Sequence, residues 1–283
     1  KTDFIRLWWE NRDDVTLITR PRRFGKTLNM NMLECFFSVK YENRKDLFEG
    51  LSVWENERYR KLQGTYPVIS LTFADVKSNT YEGALTRIKQ NLTELYNRNE
   101  FLFGKASLNV KEKRQYDAVT PDMKNEDAEV AVRAMMGYLS RCYGKKVIIL
   151  LDEYDTPLHE AYVNGYWEEM SVFIRSMFNA IFKTNPYLER AIMTGITRVS
   201  KESIFSDLNN LQVVTTTSCI YETSFGFTEG EVFAALEEAG MSGKKEQVKQ
   251  WYDGFTFGKC RDIYNPWSIT KYLDEKRFAA YWA

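Results

Sequence analysis

Gly25, Lys26 and Thr27 set side by side a residue without a side chain, a long flexible ammonium and a hydroxyl. That trio suits one chemistry. The glycine lets backbone amides approach an anion, the ammonium reaches its outer charge, and the hydroxyl ligates a hard divalent cation. A polyphosphate carried with Mg²⁺ is the ligand it fits. A second set stands about 125 residues later, where KVIILLDEYD leads into Asp152 and Glu153. One carboxylate can hold the cation through water, and the next can take a proton from an attacking water as a general base.

The flanking segments are those needed to position these groups. Residues 15–19, VTLIT, are β-branched and apolar, as a central parallel strand requires, and 28–37, LNMNMLECFF, read as the helix that follows. Amides at the start of that helix would complete an anion cradle. Strand, loop and helix make the context of a P-loop, with one departure: in G-x-x-x-x-G-K-[ST] the first glycine position holds Arg20. The candidate nucleotide contacts are Arg22, Arg23, Phe24, Gly25, Lys26, Thr27 and Leu28, with Thr27 and Asp152 as the Mg²⁺ ligands. Arg20, Arg22 and Arg23 bring three guanidinium groups that either flank the phosphates or face solvent or an acidic partner. VIILL before Asp152 is apolar on both faces, as a buried parallel strand must be, and its acids emerge at the carboxyl end, where open α/β sheets bind ligands. The two motifs in this order predict ATP binding.

A third constellation is MTGITRVS, which closes a predicted strand over 191–197. In P-loop ATPases with an extra strand between the two motif strands, a polar residue there orients the lytic water. Thr194 or Thr197 can do so, and Arg198 can offset charge on the outer phosphate. With Glu153 as base, the catalytic candidates are Glu153, Thr194 and Arg198.

Composition fits this class. Of 283 residues 44% are hydrophobic and 28% charged, enough for a sizeable core under a charged surface. Lys plus Arg and Asp plus Glu both number 39, so no net field attracts nucleic acid or anionic lipid. Apolar runs fall well short of the ~20 residues that cross a bilayer, so no membrane partner is expected. The chain begins at Lys1 with no secretory signal, and its natural start is expected upstream. Cys35, Cys142, Cys219 and Cys260 lack metal-ligand spacing and suit a reducing cytoplasm as small core residues. The sole histidine, His159, reads as a solvated loop residue.

Along the chain, strands over 66–73, 191–197 and 213–220 alternate with helices over 80–99, 128–143 and 167–183, while 101–127 reads as an exposed insertion. Short amphipathic helices over 230–239 and 244–252, an aromatic loop over 251–267 and a last helix over 268–276 follow. The pattern predicts an α/β fold, a P-loop NTPase with a parallel doubly wound sheet over 1–225, and a helical subdomain over 226–283.

KTDFI, RPRRFGKTLNM, VIILLDEYDTPL, ITRVSKESIFSDLNNL, WYDGFTFG and IYNPWSIT together resemble the bacterial AAA-ATPase-like family. The resemblance covers nearly the whole chain, and the last two motifs are the most specific. It implies an ATPase domain of the AAA/STAND type followed by a winged-helix-like region. Longer relatives carry a PD-(D/E)XK nuclease-like domain after it, which the chain does not reach. In that family an arginine at the position of Arg20 is usual.

Two functions fit these residues: an ATPase whose hydrolysis moves the C-terminal subdomain, or a nucleotide-dependent switch with little hydrolysis. Glu153 favours the first. A small-molecule kinase would need an acceptor pocket that nothing marks. A homo-oligomer or protein partner is compatible with either function, and a nucleic-acid partner stays open. The aromatic loop is expected to be a subdomain core rather than a base-stacking platform, because Lys259 and Arg261 are offset by Asp253 and Asp262. On that reading Trp267→Ala costs about 3–5 kcal/mol.

Overall fold

Five apolar runs form the centre of the chain as a wholly parallel sheet: β1 (Val15–Thr19), β2 (Val68–Thr72), β3 (Val147–Asp152), β4 (Leu188–Gly195) and β5 (Leu211–Val214). A computed structural model describes residues 1–105, 108–199, 204–206 and 208–282. Strand order is β2-β3-β4-β1-β5, so β4 does lie between the two motif strands. Its register sets Ile18 beside Thr194 and Leu151 beside Met193.

Both faces of the sheet are covered, and the side chains alternate accordingly. Val15, Leu17, Ile149, Leu151 and Met193 enter one core, and Ile18, Ile148, Leu150 and Ile192 enter the other. In chain order the helices are α1 (Asp3–Asn11), α2 (Lys26–Phe37), α3 (Glu57–Arg60), α4 (Tyr81–Asn97), α5 (Leu102–Lys105), α6 (Val110–Asp117), α7 (Asn125–Tyr143), α8 (Thr156–Asn164) and α9 (Trp167–Phe182). Helices α4, α7 and α9 cover the first face, and α1 and α2 the second. Helix α4 shows why: the Thr80 hydroxyl caps it by accepting from the Gly83 amide, and Leu85, Ile88, Leu92 and Leu95 form one buried stripe.

The C-terminal region holds α10 (Glu229–Glu238), α11 (Lys245–Tyr252) and α12 (Pro266–Glu275) around a three-stranded antiparallel sheet. Its strands, β6 (Phe227–Thr228), β7 (Phe255–Phe257) and β8 (Cys260–Tyr264), run in the order β6-β8-β7. The predicted aromatic loop is therefore in part a β-hairpin, turning at Gly258 with φ of +56°. Phe257 and Ile263 from that hairpin join the second core beside Ile18.

Four further expectations change. Residues 101–127 are not an exposed insertion: Leu102, Leu108, Tyr116 and Met123 are buried, and the Tyr116 hydroxyl donates to the Tyr96 carbonyl at 2.5 Å. These anchors are shared among two short helices and the turns around them rather than carried by one long helix. His159 lies exposed on helix α8, not in a loop. The strand expected over 213–220 ends at Val214, because the Ser218 hydroxyl accepts from the Thr215 amide and closes a turn. Cys219 is exposed and so not a core residue, whereas Cys35, Cys142 and Cys260 pack, partly buried, against the two cores. Residues 200–203 and 207 of the ITRVSKESIFSDLNNL motif lie outside the described residues.

Burial pushes the phenols of Tyr96, Tyr154 and Tyr221 above their ordinary value of 10, because the folded interior disfavours phenolate. Their contribution to stability is thus complete below pH 10 and is lost as pH rises towards their folded values. The opposite sign holds for Arg20, which burial lowers from 12.5 to about 10, but it is a single group. Melting temperature should fall above pH 10, with Tyr96 and Tyr154 each costing up to about 1.4 kcal/mol per pH unit. The tyrosinate absorbance of these three buried phenols should rise only with unfolding. Free titration of these phenols near pH 10 in the folded chain would contradict the burial argument.

Candidate active site

The turn from β1 into α2 begins as an extension of the sheet, with the Arg20 amide donating to the Gly195 carbonyl at 3.1 Å. Arg23 and Gly25 then take left-handed φ values of +68° and +80°, which curl the backbone around a concave face. That face is open: a Cβ added to Gly25 would meet nothing within 4 Å. Lys26 is buried beneath the loop and donates from Nζ to the Arg20 and Pro21 carbonyls, both at 3.0 Å. Burial lowers its pKa, and the charges of Asp152, Glu153 and Asp155 work against that shift. A cation so placed gains from any phosphate that enters.

Across the sheet, Asp152 joins three segments. Its Oδ2 accepts from the Thr27 hydroxyl at 2.5 Å, and its Oδ1 accepts from the buried Thr194 hydroxyl and from the Glu153 amide at 3.1 Å. Glu153 follows with φ of +53°, a conformation costing about 1–3 kcal/mol for a residue with a side chain. Its Oε2 accepts from the Thr156 hydroxyl at 3.2 Å. Asp155 holds the strain in place by accepting from the Ile196 and Thr197 amides and the Thr197 hydroxyl, at 2.8–2.9 Å. This close approach explains Gly195, where a Cβ would lie 2.6 Å from the Tyr154 ring and 2.7 Å from Asp155 Oδ1.

A cleft of about 530 Å³ opens between these groups. The loop lines it with Arg22, Arg23, Gly25, Lys26, Thr27 and Leu28, the facing wall supplies Lys77 and Glu153, and α12 supplies Pro266, Trp267 and Thr270. A hydroxyl and a carboxylate oxygen, 2.5 Å apart beside a lysine, are the hard-oxygen donors that Mg²⁺ with phosphate requires. The residues fit that group.

Most of the predicted residues meet here, but not all in the expected way. Phe24 is buried against Phe255 and Phe257, at 4.7 and 5.3 Å between ring centres, so only its backbone can face a ligand. Arg198 is exposed beyond the end of β4 and lines no part of the cleft. Arg20 flanks neither phosphate nor solvent: its buried guanidinium lies over the Phe257 and Phe225 rings, at 4.7 and 5.5 Å. Trp267 is 42% exposed on the cleft rim, between Arg23 at 5.1 Å and Lys271 at 5.5 Å, and is not a core residue. Sequence reasoning also missed Lys77 and Asp155. The third acid of DEYDTP, just before a proline that opens a helix, was the available signal for Asp155.

The strand order, the strand-to-helix loop and the acidic strand end define a P-loop NTPase-like fold. Residues 1–205 match the family model described as Predicted AAA-ATPase, and the chain belongs to that family. It is also similar to a protein of Azotobacter chroococcum mcd 1 described as "Uncharacterized protein in vnfD 5'region". The two are 26% identical over 275 residues, covering 94% of this chain and 46% of that protein. The chain thus spans about half the length of this relative. Family membership supports nucleotide binding, with ATP as the nucleotide.

Two substitutions distinguish rim from core. Trp267→Ala should cost only about 0.5 kcal/mol, the loss of its exposed cation contacts, and leave melting nearly unchanged. Gly195→Ala should cost about 1–3 kcal/mol, because Tyr154 and Asp155 must be displaced. Equal thermal stability in both variants would contradict this placement.

Proposed function

We propose that this chain binds ATP with Mg²⁺ and hydrolyses it to move its C-terminal module. The observation that carries the reading is the Asp152 carboxylate held between Thr27 and Thr194, with Thr27 itself lining one cleft together with Lys26 and Glu153. Lys26 Nζ exchanges the Arg20 and Pro21 carbonyls for phosphate oxygens, aided by the amides at the start of α2. Thr27 and Asp152 would hold Mg²⁺, which supplies charge neutralisation at the phosphates when bound. Glu153 takes the proton of the attacking water. Thr194, its hydroxyl engaged by Asp152, acts as a positioning residue. Arg22 offsets outer-phosphate charge from the cleft wall, with Arg198, which lies outside that wall, as the second candidate for the role.

Among the described residues, no helix is long and apolar enough to cross a membrane. A cytoplasmic setting and a homo-oligomeric or protein partner belong to the proposal. A slow or non-hydrolysing switch is the second reading, favoured by the direct tie of loop to C-terminal module. Arg23 donates to the Tyr281 carbonyl at 2.8 Å, and the Asn265 side chain donates to the Arg22 carbonyl at 3.5 Å.

Lys26→Ala should weaken ATP binding about ten- to a hundred-fold, the equivalent of about 1.5–3 kcal/mol for a charge-assisted contact. Glu153→Gln should bind ATP normally and lose turnover by about 10²–10⁴-fold. Calorimetric titration and phosphate release measure both. Unchanged ATP affinity in folded Lys26→Ala would remove the phosphate assignment. Wild-type turnover in Glu153→Gln would make the acid pair structural, and no turnover in the wild type would favour the switch.

A further inference from the structure

Strand β2 is an edge of the parallel sheet, and its outer side is open over a short stretch. The Phe73 amide and the Pro67 carbonyl bond to β3, so alternation turns the amide and carbonyl of Ser70 outward. Neither has a partner among the described residues. The edge is closed to either side. Tyr66 exchanges bonds with Phe37 and Val39, both at 2.9 Å, and the Asn91 side chain donates to the Thr72 carbonyl at 3.1 Å. A cavity of about 270 Å³ lies over the gap, between α2 and α4, and Ser70 lines it. Val68, the neighbouring outward residue, is buried and lines no part of it. The opening therefore excludes an added strand and suits a molecule the size of one residue, below the ~300–1,000 Å³ of sites for larger ligands.

Glu94 and Arg98 line the same cavity four residues apart, a spacing that joins Arg6 to Glu10 and Lys61 to Glu57. Here the side chains do not pair: Arg98 Nε donates instead to the Glu94 backbone carbonyl at 3.3 Å. A free α-amino acid supplies what the gap lacks. Set opposite Ser70 as in a hydrogen-bonded antiparallel pair, its ammonium donates to the Ser70 carbonyl and its carboxylate accepts from the Ser70 amide. Helix α4 returns along β2 from Asn91 beside Thr72, which places Arg98 towards the amide end, where the carboxylate falls. Glu94, one turn earlier, lies nearer the ammonium. Val68 shares a core with Met30, so the Ser70 face of β2 is the α2 side, and a neutral aliphatic side chain there meets Met30, which lines the cavity. We propose that this cavity binds one neutral aliphatic α-amino acid, which acts as an effector because Thr27 and Asp152 border the same space. The effector role rests on the nucleotide reading above; the binding does not.

The test is a calorimetric titration of the whole chain with three compounds: L-leucine, 4-methylpentanoate, which lacks the ammonium, and L-leucinamide, which lacks the carboxylate. Leucine should bind at least about tenfold more tightly than either analogue. Arg98→Gln should weaken leucine about tenfold and spare leucinamide, and Glu94→Gln should weaken leucine and spare 4-methylpentanoate. Both residues are exposed, so unchanged melting of the two variants reports an intact fold. With Mg²⁺ present, saturating leucine should shift ATP affinity about fivefold or more. No leucine binding at millimolar concentration, or equal binding of all three compounds, would overturn the site. Leucine binding unchanged in both variants would place it elsewhere and also overturn it. Leucine bound with ATP affinity unmoved would overturn the effector role. ATP failing to bind while leucine binds would remove the nucleotide reading and leave the amino-acid site standing.

Discussion

Strand β3 is buried along its whole length between two hydrophobic cores, and the rest of the site depends on that constraint. An ionised carboxylate cannot sit inside such a strand without a large desolvation cost, so Asp152 is confined to its final position, where hydroxyls reach it. Parallel pairing then brings β1 and β4 to the same edge with their own polar ends. Thr27 and Thr194 converge on Asp152 because β4 is inserted between β1 and β3. The chemistry of the cleft is thus set by sheet order before any loop is considered.

The loop is held from behind as well. Arg20 replaces a glycine in the usual P-loop pattern, yet its guanidinium turns away from the cleft into the core shared with the C-terminal hairpin. Its Nη1 donates to the Thr19 carbonyl at 3.0 Å, while Nε and Nη2 have no partner. A desolvated guanidinium over two rings gains about 2 kcal/mol or more per face. That contact links the phosphate loop to Phe225 and Phe257, some 200 residues away in sequence. Under the proposed function, this contact would be the route by which the nucleotide state of the loop reaches the C-terminal module.

The parts legible in sequence were those written in local pattern. VTLIT and VIILLD announce buried strands by unbroken apolar runs, GKT and DE carry their chemistry in adjacent residues, and α4 shows its stripe in a period of 3.6. What stayed hidden depends on distant partners. Nothing near Arg20 in sequence says that two aromatic faces await it, and the short Phe255–Phe257 alternation gives too little period to announce a strand. Exposure is equally unreadable from residue type: Phe257 is fully buried, while Trp267, ten residues on, stands on the rim of the cleft. In 101–127 the buried residues Leu102, Leu108, Tyr116, Val119 and Met123 are spread over two short helices and the turns around them, and only tertiary packing shows them to be anchors.

The central claim is that the β1–α2 loop and the end of β3 together hold a Mg²⁺–triphosphate. A crystal structure of the chain grown with Mg²⁺ and a non-hydrolysable ATP analogue tests it most directly. The account predicts phosphate density against the amides of residues 25–28, Lys26 Nζ released from the Arg20 and Pro21 carbonyls, and the Thr27 hydroxyl turned from Asp152 to the ion. Analogue bound elsewhere, with Lys26 still on those carbonyls and Thr27 still on Asp152, would contradict it.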